Sequence, residues 1–268
     1  MDATLRTRLD ALGDGLHRLR LDDGRAVVVK RRRGAPAGFF AMEAHGLRLL
    51  GGARALRVAE VVAVADDALV LADLGRGRPD RDAWARAGAA LARQHARTGE
   101  RFGLDRDGWC GDGAQPNTPM DDGWRFFAEC RLLPQARRAR EAGRLAAADV
   151  ARIERLCAAL PARIPAQPPS LLHGDLWSGN LHPCGDGELA LIDAGAAHYG
   201  WAEAELAMLT LFGEPPAPFF AAYREAAAAD AGWRGRAPVY NLYHLLNHLN
   251  LFGSGYLEAV RAALRHGA

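Results

Sequence analysis

The sequence predicts an α+β chain in two lobes: a small antiparallel β lobe with one helix, then a larger, mainly helical lobe. Three observations carry this reading. Residues 1–75 hold two pairs of β-branched apolar runs around short acidic turns, with one helical segment between them. Beyond the junction at Asp73–Pro79, helical periodicity replaces strand alternation, so residues 76–268 form the second lobe. A length of 268 residues and a mass of 28.8 kDa suit one large domain or two lobes.

Taken in order, Leu19 and Leu21 alternate with arginines, Asp22-Asp23-Gly24 supplies a turn, and Ala26-Val27-Val28-Val29 is an extended run closed by Lys30. A helix is predicted over Ala37–Leu50 from the spacing of Phe39, Phe40, Leu47 and Leu50, with Gly51-Gly52 ending it. Val58–Ala65 and Ala68–Leu74 read as a hairpin around Asp66-Asp67. A helix over 80–98 places Trp84, Ala87, Leu91 and His95 on one face, and 99–120 reads as a loop. Helices are predicted over 121–143 and 146–160, with Pro161, Pro165, Pro168 and Pro169 breaking the pattern. Residues 170–193 mix strands and turns, and the chain is mostly helical from Glu203 onward.

Composition narrows the function. Hydrophobic residues make up 49 % and charged residues 25 %, and mean hydropathy is −0.15, which excludes general disorder. A formal net charge of +2 is too near neutral to argue for nucleic acid or a membrane surface as partner. Arg31-Arg32-Arg33 is read as a solvated strand end, and Arg131, Arg137, Arg138, Arg140 and Arg144 as a solvated helix face. The N-terminus has no signal-peptide pattern and the four cysteines form no metal-ligand spacing, so they are read as reduced thiols of a cytoplasmic protein. Among 34 basic residues Lys30 is the one lysine, which singles it out for a site that needs a compact ammonium.

The strongest chemical signal is His173-Gly174-Asp175-Leu176-Trp177-Ser178-Gly179-Asn180, of the form H-x-D-x-x-x-x-N, the spacing of a kinase catalytic loop. Phosphoryl transfer needs a carboxylate to orient and deprotonate the attacking hydroxyl, and a neutral oxygen donor to help hold a metal ion. Asp175 suits the first role and Asn180 the second. Asp193, at the end of the next strand, stands where a second Mg²⁺ ligand sits in kinase folds. On the same template Lys30 pairs with ATP phosphates and Glu43 on the following helix holds it. Gly13 and Gly15 bring backbone N–H groups before the first strand, although Arg18 occupies the place of a third glycine; a plain turn is an equal alternative. Asp73 and Leu74 at the lobe junction complete the nucleotide set. Trp177 is read either as a stacking wall for a sugar or as core.

The segment His173 to Asn180, with its internal Leu-Trp-Ser-Gly, resembles the fructosamine (ketosamine) kinase family, relatives of the aminoglycoside phosphotransferases. Thr98–Gly103, Gln115-Pro116-Asn117, Trp124–Glu129 with Arg131-Leu132, Leu206-Ala207-Met208, Leu211-Phe212-Gly213 and His248–Gly253 with Gly255-Tyr256 agree with it. The resemblance implies a protein-kinase-like fold and ATP- and Mg²⁺-dependent phosphorylation of a ketosamine, a glycated small amine or protein, at its 3-hydroxyl. It implies Asp175 as base, Asn180 and Asp193 as metal ligands, Lys30 on ATP, and His173 and Trp177 near the sugar. Three features depart from the family pattern: Asp193-Ala194-Gly195, where Asp-Pro-Ala is usual, Trp201-Ala202 before Glu203, where a polar pair including Arg is common, and a short N-terminal phosphate loop. The alternatives are a kinase of the same fold acting on an aminoglycoside or amino alcohol, and a non-catalytic nucleotide-binding relative.

Overall fold

The computed structural model describes residues 3–227 and 232–266. In chain order the elements of the first lobe are α1 (Ala3–Asp10), β1 (Gly15–Arg20), β2 (Ala26–Arg31), α2 (Phe39–Gly52), β3 (Arg57–Val58), β4 (Val61–Ala65) and β5 (Ala68–Ala72). The second comprises α3 (Arg81–His95), β6 (Gly108–Cys110), β7 (Gly113–Gln115), α4 (Gly123–Phe127), α5 (Leu133–Glu141), α6 (Ala147–Arg163), β8 (Ser170–Leu172), β9 (Leu181–Pro183), β10 (Leu189–Leu191), β11 (His198–Gly200), α7 (Ala202–Met208), α8 (Ala217–Ala227), α9 (Trp233–Phe252) and α10 (Leu257–His266).

Strand alternation explains the first lobe. Its antiparallel sheet has the order β1-β2-β5-β4. Val27, Val29, Ala68 and Val70 point to one face, where Leu5 and Leu9 of α1 cover them. Leu69 and Leu71 point to the other, against Phe40, Ala44, Leu47 and Leu50 of α2. Lys30 shares that second face by its register, so its ammonium reaches α2 and not solvent. Helix α1 was not anticipated: its alternating charges mask the two leucines it buries. Gly51 and Gly52 lie inside the last turn of α2, and Arg54 (φ 51°) takes the left-handed exit expected of them.

The lobes are less separate than the change in composition suggests. Strand β3 pairs in parallel with β10, and β10 in turn pairs with β9. The core under α2 continues through Leu91, Leu171, Leu181, Leu191 and Phe219 of the second lobe. A further core gathers around α4–α6, α9 and α10. The predicted loop at 99–120 contains the small β6–β7 hairpin. Pro161 does not end its helix. It sits in the last turn of α6, where its missing N–H costs one i→i−4 bond, and the helix ends two residues later at Arg163. The helix predicted over 121–143 is interrupted at Ala128–Leu132 by a π-helical turn.

Burial overturns one expectation about charge. Arg131 is not on a solvated face but 2 % exposed. It donates to the Pro116 carbonyl (2.5 Å) and Asn117 Oδ1 (2.8 Å), and its guanidinium lies over the rings of Phe126 and Tyr243. Arg31 is likewise buried, paired with Asp67 at 2.7 Å, so only its neighbours fit the solvated strand end. His95 is a core residue, hydrogen-bonded to Tyr223 Oη (2.8 Å) and Glu205 Oε1 (3.1 Å). Cys110, Cys130, Cys157 and Cys184 are free thiols. Among the described residues no helix is long and apolar enough to cross a membrane.

The contact that seats α2 is made by Gly46, where a Cβ would overlap the Ala194 carbonyl oxygen. Backbone on the far side leaves no flexible group to yield. Gly46→Ala is therefore expected to lower stability by roughly 1–3 kcal/mol, the usual cost of overpacking, seen as a lower Tm in a thermal melt. An unchanged Tm would show that α2 can shift without cost.

Candidate active site

The catalytic-loop segment follows β8, and β11 runs beside β8 with His198 opposite Leu172. A buried carboxylate, Glu205 on α7, fixes its start. Glu205 accepts the backbone N–H of His173 (3.1 Å) and of Gly174 (2.7 Å) as well as the His95 ring. Desolvation would push this carboxyl up. The hydrogen bond and proximity of His95, with His173 and the Gly174 N–H, hold it below the ordinary range. Gly174 has φ 84°, and a side chain there would run into the Ala196 carbonyl. Sequence reading missed Glu205; the signal was a carboxylate between Ala204 and the apolar run Leu206-Ala207-Met208.

His173 is fully buried. Its Nε2 donates to the Ile192 carbonyl (2.7 Å), and its Nδ1 faces the Asp175 N–H (3.3 Å). This placement ties the loop to the strand end that carries Asp193, and leaves the imidazole no exposed surface. Asn180 donates from Nδ2 to the Asp175 carbonyl (2.8 Å), so that its amide oxygen could serve as a metal donor. The Ile192 N–H bonds to the Asn180 carbonyl (3.2 Å), so Asn180 and Asp193 sit side by side across the β9–β10 hairpin. Asp193 itself has φ 61°, a left-handed conformation that Asp tolerates better than most residues.

Lys30 lies 2.5 Å from Glu43 Oε1 and in contact with Asp193. Glu43 is 6 % exposed, a buried carboxylate held against the ammonium. One carboxylate from each lobe thus meets the single lysine. The donor set of the Asp193 carboxylate and the Asn180 amide oxygen suits a hard divalent ion such as Mg²⁺. Gly15 opens β1 opposite Arg31, beside Lys30, and Gly13 and Gly15 lie in the short connection from α1. The Asp14 carboxylate there caps the Arg33 N–H at 2.8 Å. Asp73 receives Arg18 Nε (3.0 Å) and the Gly75 N–H (2.9 Å), and the Leu74 carbonyl accepts from Gly185. Trp177 is 39 % exposed and its ring covers Gly179, which removes the core reading.

Asp175 is part-buried. Burial raises its carboxyl above the ordinary range, with His173 opposing the rise. Two side chains beside it were not foreseen: His244 of α9, whose Nδ1 is 3.7 Å from Asp175 Oδ1, and Cys110 of β6, 3.9 Å from the same Nδ1. Neither distance nor partner was legible, because β6, the loop and α9 are far apart in sequence. Trp201, one of the departures from the family pattern, is packed among Phe102, Phe127 and Tyr240 at 5.3 to 6.2 Å, so that change falls in the core.

Comparison with known proteins places this geometry. The family model for fructosamine kinase matches residues 14–267. A probable ketoamine kinase of Synechocystis is 38 % identical over 254 residues, covering 91 % of this chain and 84 % of that protein. The probable ketoamine kinase YniA of Escherichia coli is 36 % identical over 230 residues, covering 84 % and 79 %. A crystal structure from Thermobifida fusca, assigned as a fructosamine-3-kinase, superposes with a TM-score of 0.88 at 38 % identity over 94 % of this chain and 88 % of that one. An ADP-bound aminoglycoside phosphotransferase shares the fold alone, at a TM-score of 0.61 and 15 % identity, covering 99 % and 98 %. The two-lobed architecture is protein-kinase-like, and the chain belongs to the fructosamine kinase family.

Proposed function

We propose that this protein is a ketosamine kinase. It would transfer the γ-phosphoryl group of ATP to the sugar 3-hydroxyl of an adduct such as fructosamine or ribulosamine, and so take part in deglycation. The observation that carries the reading is the convergence of Lys30, Glu43 and Asp193 beside a catalytic loop whose Asp175 is pinned by Glu205, His173 and Asn180.

In this mechanism Asp175 accepts the proton of the attacking hydroxyl and aligns its oxygen for in-line attack. Lys30 binds ATP phosphate oxygens, held in place by Glu43. Mg²⁺ on Asn180 and Asp193 would neutralise charge on the phosphates. The Gly13–Gly15 connection offers backbone N–H groups to the phosphates. The Asp73 carbonyl and Leu74 N–H, outside the bonds described above, are assigned to the adenine edge. Trp177, exposed beside Asp175, offers a ring face to the sugar. The substrate is a glycated small amine or a glycated protein side chain, in a cytoplasmic setting.

Asp175→Asn is expected to keep the fold and to lower turnover by about 10²–10⁴-fold, the range for loss of a general base. Undiminished turnover would remove Asp175 from the mechanism. The base acts ionised, and burial raises its pKa above the usual 3.8, so kcat/KM falls as pH drops through that raised value. A pH–rate profile should therefore show its acid limb above that of a free carboxylate. ATP consumption with Mg²⁺ against fructose-, ribulose- and erythrulose-lysine adducts, with kanamycin and choline beside them, tests the substrate class. Turnover on a ketosamine supports the reading. Turnover only on kanamycin or choline would keep the kinase and reject the substrate, and ATP binding without transfer to any of them would favour a non-catalytic relative.

A further inference from the structure

Cys110, Asp175 and His244 come from three separate elements and meet at one point. The Sγ, a carboxylate oxygen and Nδ1 all lie within 4.8 Å of one another, and this is the one such Cys/His/acid group among the described residues. The His244 Nδ1 is 3.7 Å from Asp175 Oδ1 and 3.9 Å from Cys110 Sγ. A separation of 3.7 Å is too long for an N–H···O hydrogen bond. It lies near the edge of a metal tetrahedron instead: bonds of about 2.0–2.1 Å to N and O and 2.3 Å to S place N and O ~3.4 Å apart, and N and S ~3.6 Å apart.

The site is also held in advance. Asn247, one turn beyond on the helix that carries His244, donates to the Cys110 carbonyl at 3.0 Å. The neighbouring Trp109 N–H bonds to the Gly195 carbonyl at 2.9 Å, two residues past Asp193. The hairpin that presents the thiol is thus fastened to α9 on one side and to the Asp193 loop on the other. Cys110 is in no disulfide. Burial pushes His244 down to about 3, so its ring is neutral and its nitrogen lone pair is available near neutral pH.

We propose that Cys110 Sγ, His244 Nδ1 and an Asp175 carboxylate oxygen form a three-ligand site for a borderline-soft divalent cation, Zn²⁺ above all, and that occupancy there inhibits the kinase by engaging its general base. The ligand types separate this site from the oxygen pair of Asn180 and Asp193. Thiolate and imidazole favour Zn²⁺, whereas Mg²⁺ prefers oxygen. Binding converts the Cys110 thiol to thiolate with release of one proton to solvent. Thiolate, carboxylate, neutral imidazole and Zn²⁺ then sum to zero charge in a buried place. A fourth position is left for water, or for the substrate hydroxyl itself.

The inhibitory half rests on Asp175 being the base, as proposed above; the binding half does not. The first test is therefore Co²⁺ titration of the metal-stripped protein, which needs no turnover. A thiolate-to-cobalt charge-transfer band in the near ultraviolet is expected, displaced by Zn²⁺ and lost in Cys110→Ser and His244→Gln, with folding checked by circular dichroism. No such band in the wild type would overturn the proposal. The second test is turnover in a zinc-buffered assay with saturating Mg²⁺, restored by a zinc-selective chelator. The midpoint for Zn²⁺ inhibition should rise by at least about tenfold, some 1.4 kcal/mol, in Cys110→Ser relative to its own zinc-free rate. Equal midpoints in wild type and Cys110→Ser would place the inhibitory ion elsewhere and overturn it.

Discussion

The arrangement depends above all on a carboxylate that touches neither lysine nor metal donor. Glu205, buried on α7, takes the first two backbone N–H groups of the catalytic loop and the ring of His95. Burying a charge is costly unless it is hydrogen-bonded on all sides, and here the bonds are strong enough to keep the carboxyl ionised below its ordinary range. Because Gly174 sits in a conformation and a space that exclude a side chain, the loop has one path from β8. Asp175, Trp177 and Asn180 inherit their positions from it.

A second constraint couples the lobes. Lys30 and Glu43 belong to the first lobe and Asp193 to the second, and all three meet. The backbone supports that meeting through the β3–β10 pairing and the close approach of α2 at Gly46 to Ala194. Further out, Arg32 pairs with Asp112 on the β6–β7 hairpin at 2.5 Å, and that same hairpin presents Cys110 to Asp175. Lys30, Glu43, Asp193 and Asp175 are therefore parts of one packed body, and a change in the seat of α2 reaches all of them.

The buried arginine shows where reading by charge fails. Arg131 belongs to a charge-rich stretch, but it falls four residues after Phe127 and four before Gln135, both buried, and so lies on the inward face. There its guanidinium meets the rings of Phe126 and Tyr243 and the Pro116 carbonyl. Arg31 was hidden for a related reason: strand register turns it to the side where Asp67 waits across the sheet.

The sequence by itself determined the two-lobed class and most element positions, and it singled out Lys30, Asp175, Asn180 and Asp193 as candidates that the fold brings close together. Each of these rests on local information: alternation, periodicity, or the fixed spacing of one short loop. Tertiary structure alone decided what surrounds them. The Glu205 clamp, the burial of His173, the seat of Gly46, the burial of Arg131 and the meeting of Cys110, Asp175 and His244 all join segments that are not neighbours in sequence. Periodicity shows that a face is buried but not what it is buried against, so these partners became visible only once the chain was folded.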